Sequence, residues 1–150
     1  MNSSPSQPPL AGFKVRPARR GDAGPIVAIL AELGLNADPN TVTWIISHPE
    51  MEILVAADPL DKVVGFVTLS HRPVLKTGGR AASIDELNVA KAWRRKGVGR
   101  ELLRRAAERA KVLSVKRLQI ETYGPLTPEL SAFFDACHFE RTEIGVFRLK

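Results

Sequence analysis

The chain has a single cysteine and no long apolar run. Its one cysteine, Cys137, allows no internal disulfide, and this is typical of a reducing compartment. No apolar run reaches the roughly 18 residues that a membrane-spanning helix needs. The N-terminus has no basic start followed by an apolar stretch, which excludes a typical secretory signal. We therefore predict a cytoplasmic protein without a membrane partner.

Apolar residues are nevertheless abundant enough to form a core. They make up 44% of the 150 residues, which fits one globular domain. The first 12 residues differ, because they are rich in Ser and Pro and poor in large apolar side chains. We predict a disordered tail over residues 1–12 and a single domain over residues 13–150.

The net charge of +6 is concentrated in one segment. Residues 91–117 carry 11 Lys and Arg against 2 Asp and Glu, a local net charge of +9, whereas the rest of the chain has −3. A localised patch indicates a defined anionic partner rather than general adhesion to nucleic acid. Stacking on bases would require aromatic side chains among these cations, and few are present. A basic nucleic-acid-binding module stays an alternative, and we predict that nucleic acid is not the partner.

Hydrophobic periodicity predicts a mixed α/β fold, in the order βααβββαβαβ with an antiparallel meander in the middle. The third strand of the meander, over residues 81–89, places Ile84, Leu87 and Val89 toward the core. This break in strict alternation indicates a β-bulge. The predicted strands span 13–16, 52–57, 62–71, 81–89, 116–122 and 143–149, and the predicted helices span 21–33, 40–47, 98–113 and 128–136.

The segment Arg94-Arg95-Lys96-Gly97-Val98-Gly99 lies between the meander and a long amphipathic helix. Two glycines one residue apart let the backbone approach a ligand closely, since neither has a Cβ atom. Three cations precede them, and the free N–H groups and dipole at the start of the next helix also favour negative charge. The segment therefore predicts a binding site for phosphate or pyrophosphate.

Other ligand sites fit the sequence less well. A dinucleotide-binding fingerprint would need glycine in place of Leu102 and would follow its strand closely, but seven residues separate Val89 from Gly97. The chain has no GxxxxGK[ST] sequence, which excludes a P-loop. The three histidines lack the spacing of metal ligands, so we predict no metal site.

In its glycine segment the chain resembles the GNAT superfamily of N-acetyltransferases. The signature [RQ]-x-x-G-x-[GA] of that superfamily follows a strand and opens a helix, and residues 94–99 match each fixed position. The resemblance covers roughly residues 13–150 and includes Arg16-Pro17-Ala18 and Asp22. It implies a single domain with a mostly antiparallel twisted sheet, flanked by helices and splayed where acetyl-CoA binds.

The resemblance also implies how acetyl-CoA, the cosubstrate, is bound. Backbone N–H groups near the glycines would hold the pyrophosphate, and the pantetheine arm would pair with the end of the strand over 81–89. The thioester would lie where this strand and the one over 116–122 separate. The implied acetyl-CoA-binding residues are Leu87, Asn88, Val89, Arg94, Arg95, Lys96, Gly97, Val98, Gly99 and Arg100.

Acetylation of an amine needs a proton acceptor, because an alkylamine with a pKa of about 10.4 is almost entirely protonated at pH 7. Glu86 is the candidate general base, since it lies on the strand that enters the site. Many family members carry a Tyr that protonates the CoA thiolate, but Phe134 takes that place here. Acid assistance would then come from water or from Tyr123, which is the candidate acid among the side chains. Thr127 and His138 also depart from the family's Asn and Gly.

The acceptor is predicted only as a class, a primary amine of a small molecule or of a protein. The acids Asp85, Glu86 and Glu121 favour a cationic amine, and Glu121 is a second candidate for the base. Because Phe134 cannot donate a proton, a catalytically inactive acyl-CoA-binding sensor stays open as an alternative. Homodimers are common in the superfamily, so a homodimer is a further expectation.

Overall fold

The computed structural model describes residues 12–150. The disordered tail predicted over residues 1–12 lies outside them, apart from Gly12. None of the helices in this part of the chain has both the length and the apolar composition that crossing a bilayer requires. The helices are α1 (Ala23–Glu32), α2 (Pro39–Ile46), α3 (Val98–Val112) and α4 (Pro128–Ala136), and the strands are β1 (Lys14–Pro17), β2 (Met51–Ala57), β3 (Val63–Val74), β4 (Gly79–Val89) and β5 (Arg117–Ile120).

A five-stranded sheet in the order β1-β2-β3-β4-β5 forms the centre of the fold. The first four strands pair antiparallel as neighbours in sequence, and β5 pairs parallel to β4. A parallel pair needs a long crossover connection, which α3 supplies. The prediction of a mixed α/β fold with a mostly antiparallel sheet flanked by helices is confirmed.

Helices cover both faces of this sheet. On one face, Leu102 and Ala106 of α3 pack into a cluster with Val67 of β3. On the other face, Ile26 of α1 packs into a second cluster with Phe66, the neighbour of Val67 in sequence. Successive residues of β3 thus point into opposite cores, as the period of a strand requires. Each fully buried apolar side chain of this size stabilises the fold by about 1.5–3 kcal/mol.

Side-chain caps set the start of two helices. The carboxylate of Asp38 accepts a hydrogen bond from the Asn40 N–H at the start of α2, at 2.8 Å. The hydroxyl of Thr127 accepts one from the Leu130 N–H at the start of α4, at 3.1 Å. These caps satisfy backbone donors that have no partner within the helix. A proline follows each cap at the first helical position, which is why local sequence predicted both starts closely.

A β-bulge interrupts the pairing of β3 with β4. Thr68 lies opposite Glu86 and Leu69 lies opposite Ile84, so Asp85 is the extra residue. The bulge predicted from the broken alternation is therefore confirmed. It restores a single core face to β4, because an extra residue shifts the alternation of the side chains that follow it.

Beyond the bulge, β4 separates from β5. The last paired residues are Ile84 of β4 and Ile120 of β5, whereas β4 continues to Val89. Leu87 and Val89 still pack against the α3 cluster, as predicted. The sheet is thus splayed over the last five residues of β4, and this opening faces the start of α3.

The sequence also predicted a closing strand over residues 143–149, and this prediction is wrong. Residues 139–150 form neither helix nor strand. Their alternating apolar residues are a pattern that becomes a strand only where a neighbour offers a hydrogen-bonding edge. The nearest edge in sequence, β5, is four residues long. The apolar side chains left exposed are Ile144, Val146, Phe147 and Leu149.

A partly buried ion-pair network fixes the start of α1 to β1. The Arg16 guanidinium donates two hydrogen bonds to the Asp22 carboxylate, at 2.7 and 3.0 Å, and the Arg19 N–H donates a third at 2.7 Å. Asp61 accepts from both arginine side chains. Burial raises the pKa of Asp22, but the hydrogen bonds and charges of Arg16 and Arg19 outweigh it and hold that pKa below its ordinary value.

Replacing Asp22 by Asn should destabilise the fold by about 3 kcal/mol, because the Arg16 side chain, 13% exposed, loses its more buried counter-charge and keeps only the exposed Asp61. A carboxyl whose pKa is lower in the folded state stabilises it above the unfolded pKa, about 3.9 for Asp. That contribution is lost as pH falls through the folded pKa. Urea unfolding should therefore show wild-type stability falling below about pH 4, with a smaller fall in Asp22→Asn.

Asp61→Asn is the matched control, because Asp61 lies at the exposed end of the same network. It should cost much less stability than Asp22→Asn. Equal acid sensitivity of wild type and Asp22→Asn would contradict the assignment of this pH dependence to Asp22.

Candidate functional site

The loop between β4 and α3 contains two residues with a left-handed backbone. Arg95 has φ 61° and Gly97 has φ 81°, and α3 begins at the next residue, Val98. A left-handed residue next to a right-handed one, as Gly97 is to Val98, turns successive N–H groups toward one side and forms a concave anion site, or nest. The free N–H groups at the start of α3 adjoin this nest. The segment predicted to bind phosphate therefore has the backbone geometry of an anion-binding site.

The two glycines of the loop serve different purposes. Gly97 has a left-handed φ that L side chains rarely adopt, although no described protein atom would contact a Cβ there. Gly99 lies in the first turn of α3, where a Cβ would meet Phe133 at 3.6 Å and Val89 at 3.8 Å, both ordinary contacts. The backbone therefore requires glycine at position 97, whereas the fold tolerates alanine at position 99.

The cations further along α3 are neutralised by acids. Arg104 forms ion pairs with Glu101 and Glu108. Arg109 donates two hydrogen bonds to Glu52 of β2, at 2.6 and 2.7 Å. These two of the 11 cations in residues 91–117 are therefore balanced within the protein, away from the loop.

The cations of the loop itself form no ion pair with any residue in the part of the chain that the structure describes. The Nζ atom of Lys96 lies 5.0 Å from the centre of the Trp93 ring, a cation–π contact that leaves its charge available. The positive charge available to a ligand is concentrated at the start of α3. The cations concerned are Arg94, Arg95, Lys96 and Arg100.

Main-chain groups of β4 face the gap left by β5. The Ala90 N–H donates to the Val64 carbonyl oxygen at 2.8 Å, which puts Val89 at a non-hydrogen-bonded position toward β3. Such positions alternate along an antiparallel pair. The N–H and C=O groups of Val89 and Leu87 therefore point into the gap. The Arg94 guanidinium lies on this side, where it donates to the Val89 carbonyl oxygen at 3.3 Å.

Three acidic side chains surround the bulge. Partial burial raises the pKa of Glu86, and the negative charge of Asp85 raises it further. Partial burial also raises the pKa of Asp85, with a hydrogen bond from Ser70 opposing the shift, Glu121 adding to it and Arg72 opposing it. Asp85, Glu86 and Glu121 are all exposed. The charge of Glu121 raises the pKa of Asp85, and the charge of Asp85 raises the pKa of Glu86, so the three carboxylates lie near one another at the bulge.

Comparison with protein families identifies the fold to which this site belongs. A model of the acetyltransferase (GNAT) family matches residues 30–139, which include β4, the glycine loop and α3. The chain belongs to this family. The resemblance stated from the sequence is thereby confirmed, and the chemistry of this GNAT domain is acetyl transfer. Comparison with curated protein sequences gave no significant match.

Solved structures share the fold at low sequence identity. A transcriptional regulator from Bacillus halodurans C-125 is 22% identical with a TM-score of 0.80, covering 92% of this chain and 99% of that one. A ribosomal-protein-alanine N-acetyltransferase from Brucella melitensis is 21% identical with a TM-score of 0.74, covering 92% and 98%. An aminoglycoside 6'-N-acetyltransferase from Acinetobacter baumannii is 18% identical with a TM-score of 0.75, covering 93% and 98%. At these identities the likeness establishes the fold alone.

The two positions considered for an acid differ in their surroundings within this GNAT domain. Phe134 of α4 packs edge-on against Phe133 and Phe139, with ring centres 5.5 and 6.4 Å away. Tyr123 is 75% exposed on the loop after β5, and the Arg148 guanidinium lies 5.6 Å from its ring. The structure therefore brings Glu86 and the glycine loop to the same end of β4, and it leaves Tyr123 at the surface.

Sequence reasoning did not single out Thr68, which lies opposite Glu86. Its side chain is 3% exposed, and its hydroxyl has no hydrogen-bond partner among the described protein atoms. The only signal in the sequence is one hydroxyl within the apolar stretch of β3, a pattern that predicts no more than a buried strand. The pairing of β3 with β4 brings this residue to the site.

Substitutions at the two glycines can distinguish an effect on ligand binding from an effect on the stability of the fold. Gly99→Ala should leave the melting temperature unchanged or slightly raised, because alanine favours a helix over glycine by up to about 1 kcal/mol. It should weaken acetyl-CoA binding by about tenfold, because its methyl group occupies space that a phosphate would use, and Gly99→Glu should abolish binding. Calorimetric titration measures the affinity, and thermal unfolding measures the stability.

Gly24→Ala is the matched control, since Gly24 also lies in a helix with open space around it. It should raise the melting temperature without changing the affinity. Gly97→Ala should instead lower stability by about 1 kcal/mol, because φ is positive there. Wild-type affinity in Gly99→Ala would show that no phosphate approaches this residue.

Proposed function

We propose that the protein transfers the acetyl group of acetyl-CoA directly to a primary amine. The observation that carries this proposal is the separation of β4 from β5 beside the start of α3. The gap offers main-chain hydrogen bonds, and the adjoining loop offers an anion nest with unpaired cations. Acyl-CoA has matching parts in the same order, since an amide-containing arm is joined to a pyrophosphate.

Donor binding divides between strand and loop. Val89 pairs with the pantetheine arm through the main-chain groups that point into the gap, whereas Asn88 directs its main chain toward β3 and sets the spacing. Backbone N–H groups of residues 95–100, which include Gly97, Val98 and Gly99, bind the pyrophosphate. The cations that add charge to this site are Arg94, Arg95, Lys96 and Arg100.

Proton transfer is assigned to Glu86. Its pKa, raised by partial burial and by the charge of Asp85, makes it a stronger base than an ordinary carboxylate. As the ammonium group of the acceptor loses its proton toward Glu86, the nitrogen lone pair attacks the thioester carbonyl carbon. The Leu87 N–H, the gap-facing donor nearest the bulge, stabilises the charge that develops on the carbonyl oxygen.

The leaving thiolate needs only modest help, because a thiol of this kind has a pKa of about 8.5. Phe134 has no proton to give, so the thiolate is protonated by water or by Tyr123 after the C–S bond breaks. The exposed position of Tyr123 favours water unless the loop after β5 moves on binding. In this proposal Tyr123 is a dispensable acid, and Glu86 is the residue on which turnover depends.

The acceptor is proposed to be a cationic amine, because Asp85, Glu86 and Glu121 give the opening a negative charge. One similar structure is named for the alanine of a ribosomal protein and another for an aminoglycoside. An alanine-terminated peptide and the aminoglycoside kanamycin are therefore the first acceptors to test.

A non-catalytic acyl-CoA-binding sensor is the second candidate, and the observation that favours it is Phe134 at the place of the family's acidic Tyr. The nucleic-acid alternative has less support, because Arg104 and Arg109 are paired with acids of the protein. The two readings of the GNAT site differ in one measurable property, the release of free thiol.

Release of CoA thiol from acetyl-CoA should therefore depend on enzyme and on an added amine, with the acetylated amine identified by mass spectrometry. The panel consists of the alanine-terminated peptide, kanamycin, lysine and spermidine. Binding of acetyl-CoA without release of thiol for any of them would favour the sensor. Failure to bind acetyl-CoA would overturn both readings.

Glu86→Gln should lower kcat by roughly 10²- to 10⁴-fold with unchanged acetyl-CoA affinity, because it removes the base and leaves the gap and the loop intact. Wild-type kcat should fall as pH decreases through the raised pKa of Glu86, above its ordinary value of 4.5, since only the ionised carboxylate accepts a proton. In Asp85→Asn the removal of the neighbouring negative charge should shift this fall to lower pH. A Glu86→Gln variant with wild-type kcat would contradict the assignment.

A further inference from the structure

The hydroxyl of Thr68 is an unusual feature of the core. The residue is 3% exposed, and its Oγ1 atom has no hydrogen-bond partner among the described protein atoms. A buried hydroxyl without a partner destabilises the folded state, and valine would fill the same volume without that penalty. Such a group in a native fold calls for an explanation beyond packing.

Register places Thr68 beside the proposed base. It lies opposite Glu86 of β4 on one side and opposite Ile53 of β2 on the other. Directly opposite residues of an antiparallel pair share a face, with Cβ atoms about 5 Å apart. Ile53 belongs to the cluster under α1 and α2, so this face is the one that these helices cover. The Thr68 side chain thus lies between apolar Ile53 on one neighbouring strand and Glu86 on the other, on the same face of the sheet.

The strand register brings the two side chains within reach of one bridging water. A hydroxyl and a carboxylate attached to opposite residues, one short and one long, can bind the same water at ordinary hydrogen-bond distances. Less than 1 Å² of the Thr68 Oγ1 atom is accessible, so a water joins it to Glu86 only after the exposed Glu86 side chain moves aside. Ser70, two residues along β3, carries the next hydroxyl on the same face and acts on Asp85 instead.

We propose that Thr68 is a positioning residue, which holds a water molecule between its hydroxyl and Glu86 and thereby completes the proton path from the acceptor amine. This inference rests on the proposed function. The amine gives a proton to the water, and the water gives a proton to the Glu86 carboxylate. The nitrogen lone pair forms the new bond to the acetyl carbon, and the C–S bond breaks to release the thiolate. The second proton that the nitrogen loses as the amide forms goes through solvent to that thiolate, so that protons and electrons balance.

The Thr68→Val and Thr68→Ser variants test this proposal as a matched pair, because valine keeps the shape and removes the hydroxyl, whereas serine keeps the hydroxyl. Thr68→Val should lower kcat about tenfold or more, with acetyl-CoA affinity within about twofold of wild type. Its melting temperature should be unchanged or higher. Thr68→Ser should keep kcat within about threefold of wild type, despite the loss of a methyl group from the core. The acceptors used are kanamycin and the alanine-terminated peptide.

A double-mutant cycle with Glu86 distinguishes a shared proton path from an unrelated effect. If both residues act on one water, Thr68→Val should lower kcat of the wild type but have little further effect in Glu86→Gln. An equal effect in both backgrounds would overturn the proposal. Unchanged kcat in Thr68→Val, or an equal loss in the Val and Ser variants, would also overturn it.

A readout without an acceptor uses a crystal structure of the wild-type protein. It should show an ordered water within about 3.2 Å of both the Thr68 Oγ1 atom and a Glu86 carboxylate oxygen, and Thr68→Val should lose that water. Absence of the water from a well-ordered wild-type site would overturn the proposal. Failure of the proposed function looks different, because wild-type protein would then bind no acetyl-CoA or release no thiol with any amine.

Discussion

The arrangement of the site depends on one constraint, the need of every main-chain N–H and C=O group for a hydrogen-bond partner. The bulge at Asp85 coincides with the point at which β5 leaves β4, so Leu87 and Val89 keep their β3 neighbour and direct their remaining groups into a gap. A sheet ordinarily satisfies such groups with another strand. Here they stay available to a ligand with amides of its own, and in the proposed function the donor continues the sheet.

Charge and backbone geometry act together at the far end of the gap. The nest at Gly97 and Val98 opens the first turn of α3, and the loop cations have no acidic partners among the described residues. Along the rest of α3, Glu52, Glu101 and Glu108 neutralise the arginines. The helix therefore presents its positive field at one end, where its dipole adds to that of the side chains. This localisation suits a compact diphosphate better than a long polyanion.

Local signals predicted most of the elements, whereas signals that depend on a distant partner did not. The helix α4 was predicted over its observed residues because its cap at Thr127 and the following proline lie next to each other in sequence. The bulge was also predictable, since Ile84, Leu87 and Val89 must share a core face. The prediction of a strand at 143–149 was wrong. Alternating apolar residues form a strand only where the edge of another strand is free to pair with them, and the sequence does not show whether such an edge exists.

The sequence by itself determined the family and predicted an anionic ligand, because the glycines, cations and helix start of the family signature are adjacent in the chain and act through local backbone geometry. It also determined the amphipathic faces of the helices, which follow from periodicity alone. Only the tertiary structure decided which strands part, that Thr68 lies beside Glu86, and that Tyr123 stays at the surface. The physical reason is that strand register and side-chain burial are set by contacts between residues far apart in sequence, which no local pattern records.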